Sequence, residues 1–246
     1  MDVAANTTTY LVKLQECREV ADRTMAFWFD RPANFTFMAG QSIDMTLINP
    51  SETDGEGNRR AFSIASAPDE GMLLVATRMR DTAFKRVLGA MLVGSQVKIE
   101  GPFGNLVLHN NQTRAAVFLA GGIGITPFRS ILLRAVKELL PHRLFLFYSN
   151  RRPEDAPFLE ELQVMQRHNR NYIFVPTMTD MGRSHRPWLG ETGVITQEML
   201  AKYVKSPVSP IYYLAGPPAM VSAIRALLNG MGVDDDDIRT EEFAGY

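Results

Sequence analysis

Residues 114–131 read RAAVFLAGGIGITPFRSI, and the fold turns on how that stretch divides. Ala115 to Ala120 is an apolar run with the length and Val/Phe/Leu content of a buried strand. It stops at Gly121, Gly122 and Gly124, after which Thr126 and Pro127 open an apolar-periodic segment. The stretch therefore predicts a strand, a tight turn and a helix. Glycines let a backbone turn sharply and approach a ligand closely, while Thr126 suits an N-cap and Pro127 the first helical position. Free N–H groups at such a helix start would receive an anion, a phosphate above all. The spacing GGxGxxP is not the GxGxxG dinucleotide fingerprint, so a plain glycine-rich turn stays open beside the phosphate reading.

Working outward, strand-like AAVFLA, RLFLFYS, NYIFVPTM and PIYYLAG alternate with helical stretches beginning near Pro127, Ala156, Thr196 and Pro217. This is the alternation of a parallel sheet with helices on both faces. DIRTEEFAGY at the end predicts a final strand and tail, with Asp234 to Asp237 as a solvated loop. Toward the start, TTYLVKL, RTMAFWF, SIDMTLI, RAFSIAS, MLLVATRM and SQVKIEG are short strands between turn clusters, with helical periodicity only from Asp81 to Met91. They predict an antiparallel barrel or sandwich. The polar segment 49–59, NPSETDGEGNR, reads as a mobile hairpin loop, with a functional lid as the second reading. The change of texture near residues 110–113 divides the chain into domains 1–111 and 112–246.

The chain has 246 residues, 46% hydrophobic and 22% charged, enough for two ordinary domains, and its formal net charge of -1 offers no field for nucleic acid or an anionic membrane. Its single cysteine, Cys17, builds neither a disulfide framework nor a cysteine-ligated metal site, and it fits a reducing compartment. The first residues lack the basic and apolar regions of a leader, and no run approaches the ~20 apolar residues of a membrane helix, so a cytoplasmic location without a membrane partner is expected. His109, His142, His168 and His185 show no metal-ligand spacing, so no metal is expected. Walker and GxSxG motifs are absent, which removes the main support for kinase and hydrolase readings.

Several short stretches carry candidate chemistry. In extended Arg60-Ala61-Phe62-Ser63, Arg60 and Phe62 share one face and Ala61 and Ser63 the other, which suits a ligand with a phosphate and a flat ring. A surface arginine beside a core phenylalanine fits the same four residues. Asp81 or Thr82 would cap the helix that follows, whose N-terminus is a second anion site if it is more than a plain cap. Gly101-Pro102-Phe103-Gly104 reads as a turn. Ser149, Asn150 and Arg151 follow the second parallel strand, where a dinucleotide's adenosine ribose is usually read. Gly216, Pro217 and Met220 repeat the strand, glycine and proline-started helix of the opening stretch.

Taken in order, RAFS, GPFG, GGIGITP, YSNR, WLGETG, YLAGPPAM and EEFAGY resemble the ferredoxin–NADP reductase superfamily, from about Arg59 to Tyr246. The resemblance implies an N-terminal antiparallel β-barrel that binds FAD, less often FMN, and a C-terminal α/β Rossmann-like parallel sheet that binds NADPH or NADH. Carried onto this sequence, Arg60 would contact the flavin phosphates, Phe62 would pack on the isoalloxazine and Ser63 would hydrogen-bond near its N5 atom. Thr82 would support the flavin pyrophosphate. The turn from Gly121 to Pro127 would hold the nicotinamide nucleotide's pyrophosphate, and Gly216 to Met220 would border the nicotinamide. Phe62 stands where the family has tyrosine and Ala215 where it often has cysteine. Phe243 or Tyr246 would cover the flavin, and Glu242 is the candidate for an acidic group near the flavin that transfers a proton, with a solvent-facing carboxylate in the last strand as the other reading.

The implied activity is an FAD-dependent oxidoreductase that takes hydride from NAD(P)H, with Ser149 and Arg151 tilting toward NADPH. Its electrons would pass to a separate carrier such as ferredoxin or flavodoxin, since one cysteine excludes a fused four-cysteine cluster. The alternatives are an NADH-linked reductase component for an oxygenase or haem protein and, in another class, a non-catalytic nucleotide-binding regulatory subunit.

Overall fold

The computed structural model describes residues 8–243. Its first half is an antiparallel sheet of six strands, β1 (Thr9–Ala21), β2 (Thr24–Asp30), β3 (Ser42–Leu47), β4 (Arg59–Ser63), β5 (Met72–Arg78) and β6 (Gln96–Phe103), in the order β4-β3-β6-β1-β2-β5. Period-two alternation puts Ile43, Met45 and Leu47 of β3 inward, where they meet Val12, Phe27, Val75, Val97 and Ile99. β1 is longer than the sequence pattern indicates because it serves two neighbours. Thr9 to Lys13 pair with β6 and Leu14 to Ala21 with β2, across two register shifts that bend the strand. The outer strands are drawn together where the Ala65 N–H donates to the Leu74 carbonyl at 2.8 Å. Residues Gly101 to Phe103 of the expected GPFG turn continue β6, with a cis Gly101–Pro102 peptide.

Helix α1 (Ala83–Gly89) crosses between β5 and β6, and Thr82 caps it by accepting from the Lys85 N–H at 3.4 Å. Segment 49–59, expected as a free hairpin loop, is pinned to this helix. Asp54 Oδ2 accepts from the Ala83 N–H at 3.1 Å, and Glu52 Oε1 from Arg86 Nε at 2.9 Å.

The second half is an all-parallel sheet of β7 (Ala116–Gly121), β8 (Leu144–Asn150), β9 (Tyr172–Met178), β10 (Glu191–Thr192), β11 (Ile211–Gly216) and β12 (Ile238–Glu242), in the order β10-β9-β8-β7-β11-β12. Every residue of β7 and β11 is buried, as two covered faces require. Alternate residues divide between two cores. Phe118, Leu146, Tyr148 and Tyr213 meet α2 (Ile125–Lys137) and α3 (Leu159–His168), while Val117, Phe147, Tyr212 and Leu214 meet α4 (Gln197–Tyr203) and α5 (Pro218–Gly230). From β7 the chain winds outward through β8 and β9 and then returns to the other side as β11, so the strand order reverses at β7. Open α/β sheets bind ligands in the crevice beyond such a reversal.

Two local expectations are corrected here. Helix α2 begins at Ile125, after a 3-10 turn at Gly122–Gly124, so Thr126 lies inside the helix and its Oγ1 donates to the Ile123 carbonyl at 3.0 Å instead of capping. Pro127 is the third helical residue, still within the first turn, where a missing N–H costs no intrahelical bond. Helix α3 starts at Leu159 rather than Ala156, because Phe158 before it is left-handed, with φ 60°.

The two halves are fastened by polar contacts. Arg129 of α2, 6% exposed, donates to the Ala65 carbonyl at 2.6 Å and to both oxygens of Glu161 at 2.7 Å. Ser130 Oγ donates to the Ser66 carbonyl at 2.6 Å, and Arg152 joins Asp22 at 2.9 Å.

Candidate functional site

The carboxyl ends of β7 and β11 come close enough that glycine is required there. A Cβ on Gly124 would lie 2.2 Å from the Ala215 carbonyl oxygen, and one on Gly121 would lie 2.3 Å from Met220 Sδ. At Gly124 the clash is with backbone that cannot move aside, whereas at Gly121 it is with the flexible end of the Met220 side chain. Gly122 is different: its φ is +53° and a Cβ there would meet nothing within 4 Å, so its backbone faces open space. Tyr148 supports this turn from below, its hydroxyl donating to the Gly122 carbonyl at 3.2 Å.

A cleft of about 480 Å³ opens in front of the turn, lined by Gly121, Gly122, Ile123, Ser149, Asn150, Arg151, Pro217 and Met220 from the parallel domain and by Arg23, Arg78 and Arg80 from the barrel. Asn150 is 6% exposed, and neither side-chain amide atom has a hydrogen-bond partner. Buried polar groups are almost always paired, and an orphaned amide lining a cleft fits a ligand that brings hydroxyl or phosphate oxygens. Asp155, 4% exposed in the same cleft, is held below the usual carboxylate range by the Arg152 guanidinium, which it meets at 2.8 Å.

A second cleft, of about 260 Å³, is lined by Arg60, Ala61, Phe62, Ser63, Arg80, Thr82 and Lys85 from the barrel and by Ile123, Thr126 and Phe243 from the other domain. Arg60 and Phe62 do share a face, since both meet the Phe84 ring, Arg60 at 5.2 Å and Phe62 at 5.9 Å between centroids. Phe62 is packed into the barrel core and only 7% exposed, so most of its ring is already covered. Arg60 is engaged by its own loop: Nη2 meets Glu56 Oε2 at 2.7 Å, and Nη1 donates to the Glu56 carbonyl at 2.8 Å.

The two clefts share Ile123 and Arg80. On the barrel-side cleft, Ser63 Oγ donates to Glu241 Oε1 at 3.1 Å across the domain boundary, and burial holds the Glu241 carboxyl above the usual range. The carboxylate expected there was Glu242. In β12, however, Glu242 lies on the same side as buried Ile238 and is exposed, whereas Glu241 faces the other way. Alternation from the apolar Ile238 points to Glu242 rather than Glu241, so the sequence carried no signal for this contact. Gly124, Pro127 and Gly216 line neither cleft, and Gly216, with φ +156°, lies behind the turn against Gly121. Tyr246 lies outside the described residues. The sequence reading also missed Arg78, Arg80 and Lys85, which carry no motif and enter the clefts only because β5 and α1 face the glycine turn.

Residues 118–226 match the oxidoreductase NAD-binding domain family. Over 96% of this chain and 70% of the other, the structure superposes on Amycolatopsis cytochrome P450 reductase with a TM-score of 0.81 at 22% identity. The two-domain fold is that of the ferredoxin–NADP reductase superfamily. The flavohem-like FAD/NAD-binding domain of nitric oxide dioxygenase from Vibrio cholerae superposes with a TM-score of 0.80 at 18% identity, over 95% of this chain and 98% of that one. The Na(+)-translocating NADH-quinone reductase of Histophilus somni has a subunit that is 28% identical over 201 residues, 76% of this chain and 49% of that protein. The chain spans about half the length of the curated relatives it matches. Among the described residues, no helix is long and apolar enough to cross a membrane.

Proposed function

We propose that this chain is an FAD-dependent oxidoreductase module that accepts hydride from a nicotinamide nucleotide and passes electrons to a separate partner protein. The observation that carries the reading is the junction of the two clefts at Ile123 and Arg80, with the Ser63–Glu241 pair on its barrel side. A bound flavin supplies hydride acceptance and the division into single electrons, while the protein supplies alignment and electrostatics. Arg60, Thr82 and Lys85 would hold its phosphates. Gly122 leaves room for the nucleotide's pyrophosphate, Asn150 offers its unpaired amide to a ribose hydroxyl, and Arg23, Arg78 and Arg80 neutralise charge. Ser63 would offer a hydroxyl on the barrel side of the junction. Glu241, whose carboxyl burial raises above the usual range, accepts from Ser63 Oγ and would exchange a proton there.

NADH as donor, with a haem protein or oxygenase component as acceptor, is supported better than NADPH with ferredoxin or flavodoxin. A P450 reductase, a nitric oxide dioxygenase domain and part of an NADH-quinone reductase are among the similar proteins, and a ferredoxin NADP+ reductase from Neisseria gonorrhoeae, 24% identical, supports the other reading. Ionised Asp155 in the nucleotide cleft also suits a ribose hydroxyl better than an added 2′-phosphate. NADPH remains the second reading because Arg151, exposed at the cleft wall, offers a bidentate phosphate ligand. Anaerobic reduction of the FAD-loaded protein by each nucleotide decides between them. A higher kcat/KM with NADH is expected; a preference for NADPH would reverse the assignment, and no reduction by either would leave the regulatory-subunit reading.

A further inference from the structure

A further cavity, of about 280 Å³, lies where the chain passes from the barrel to the parallel domain, and none of its residues lines either cleft described above. Its apolar wall is Met38 and Ala39 of the β2–β3 connection, Val107 and Leu108 of the interdomain linker, Ile131 of α2, and Leu140. Its polar groups are His109, Asn110, Arg134 and Arg239. The two clefts contain Asp155 and Glu56, whereas among the described residues no carboxylate lines this cavity.

The basic groups differ in what the protein has already given them. Arg134 Nε meets Glu138 at 3.0 Å, so its charge is answered. The Tyr213 hydroxyl accepts from the His109 backbone N–H at 2.8 Å and meets its Nδ1 at 2.9 Å, while His109 Nε2 lies 3.2 Å from the Arg114 carbonyl. That set fits a neutral imidazole with Nε2 protonated, and it leaves neither ring nitrogen for a ligand. Arg239 is the exception. It is half-buried, its guanidinium lies 5.3 Å over the Tyr213 ring, and its Nη1 donates to the Val107 carbonyl at 2.8 Å. That bond uses one of a guanidinium's five N–H donors. Among the described residues no carboxylate pairs with it, and Asp237, the acidic group that feels its charge, is taken by Arg114 at 2.6 Å. A guanidinium held partly out of water without a counter-ion is in a costly state that a carboxylate relieves, best through two parallel hydrogen bonds.

We propose that this cavity is a binding site for a small carboxylate with a compact apolar body, Arg239 holding the carboxylate and the apolar wall holding the body. An apolar cavity of roughly 150 Å³ accepts a benzene ring, so this one has room for a ring and its carboxylate. A phosphate would leave the apolar wall uncovered, and a neutral ring would leave Arg239 without its counter-ion. Because the wall is drawn from the barrel, the linker and the parallel domain, a bound carboxylate braces the junction between them.

The experiment is a fluorine-NMR titration of the full chain with 4-fluorobenzoate at neutral pH, with 4-fluorobenzyl alcohol as the uncharged probe and inorganic phosphate as the probe without an apolar body. The wild type binds 4-fluorobenzoate saturably in the millimolar range or below, about tenfold more tightly than the alcohol. Neither phosphate, NAD+ nor FAD displaces it. Arg239→Gln weakens binding about tenfold by removing the charged partner. Asn110→Asp, an isosteric change at an exposed position of the same cavity, puts a carboxylate there and weakens binding about threefold without altering the packing. Thermal melts of both variants show that the fold is retained, and 4-fluorobenzoate raises the melting temperature of the wild type more than that of either variant. Absence of saturable binding to the wild type overturns the proposal, as does undiminished binding to both variants. Displacement by NAD+ or FAD puts the probe in a cofactor cleft and overturns it too, and equal binding of the alcohol or phosphate overturns the ligand class.

Discussion

The two clefts that meet at Ile123 hold their polar groups in opposite ways. On the barrel side Arg60 is saturated by its own loop, through Glu56 at 2.7 Å and backbone carbonyls. On the parallel-sheet side Asn150 is buried and both ends of its amide are unpaired. A ligand that reaches Arg60 exchanges protein bonds for its own, whereas one that reaches the Asn150 amide displaces no protein hydrogen bond. The barrel side is therefore built for exchange against an internal competitor and the sheet side for capture by a preformed surface.

The largest test of this contrast concerns how rigid the sheet side is. Gly124→Ala would put a methyl 2.2 Å from a backbone oxygen that cannot rotate away, and is expected to cost about 3 kcal/mol in denaturant unfolding. Gly122→Ala, in open space with φ +53°, is expected to cost only about 1 kcal/mol. Equal losses at the two positions would show that the turn is soft.

Next in size is the orphaned amide. Asn150→Leu removes a buried unsatisfied group at similar volume, so stability is expected to hold or rise, while NADH affinity falls about tenfold through loss of one or two hydrogen bonds. If stability drops and nucleotide affinity does not change, Asn150 serves the fold. On the barrel side Glu56→Gln is expected to do the reverse and tighten FAD binding about threefold by weakening the competitor for Arg60. Its effect on stability should stay within about 0.5 kcal/mol, as for other exposed ion pairs.

How far these features were legible in the sequence differs between the domains for a physical reason. The parallel sheet announced itself because strands buried on both faces are continuous apolar runs, AAVFLA and PIYYLAG among them. The six barrel strands were legible from alternation, but the bend that lets β1 serve two neighbours was not, since a register shift leaves no compositional mark. Within the site, the residues local in sequence, Arg60 to Ser63 and Ser149 to Arg151, do line the two clefts. Residues that depend on which way a strand faces were misplaced, as the step from Glu242 to Glu241 shows. The packing role of Gly124 was hidden for a similar reason, because its neighbour Ala215 lies far along the chain and across the sheet.

The smallest expected effect is a pH dependence at the junction. Burial raises the Glu241 carboxyl above its unfolded value, so the folded state binds the proton more tightly. Its contribution to stability is full in acid and is lost as pH rises through the raised value. Glu241→Gln should therefore be more stable than the wild type at neutral pH, with the advantage disappearing in acid. Thermal melts of both proteins across that range check it; an advantage that grows on acidification would contradict the burial argument.

The central claim is that the two clefts form one reaction site with Ser63 at its junction, and rapid anaerobic mixing of the FAD-loaded protein with NADH tests it most directly. The flavin absorbance should bleach in a single fast phase, and Ser63→Ala, with FAD still bound, should bleach about a hundredfold more slowly, the order of loss for one positioned hydrogen bond. A wild type that holds FAD but does not bleach with either nicotinamide nucleotide, or a Ser63→Ala variant that bleaches as fast as the wild type, would contradict it.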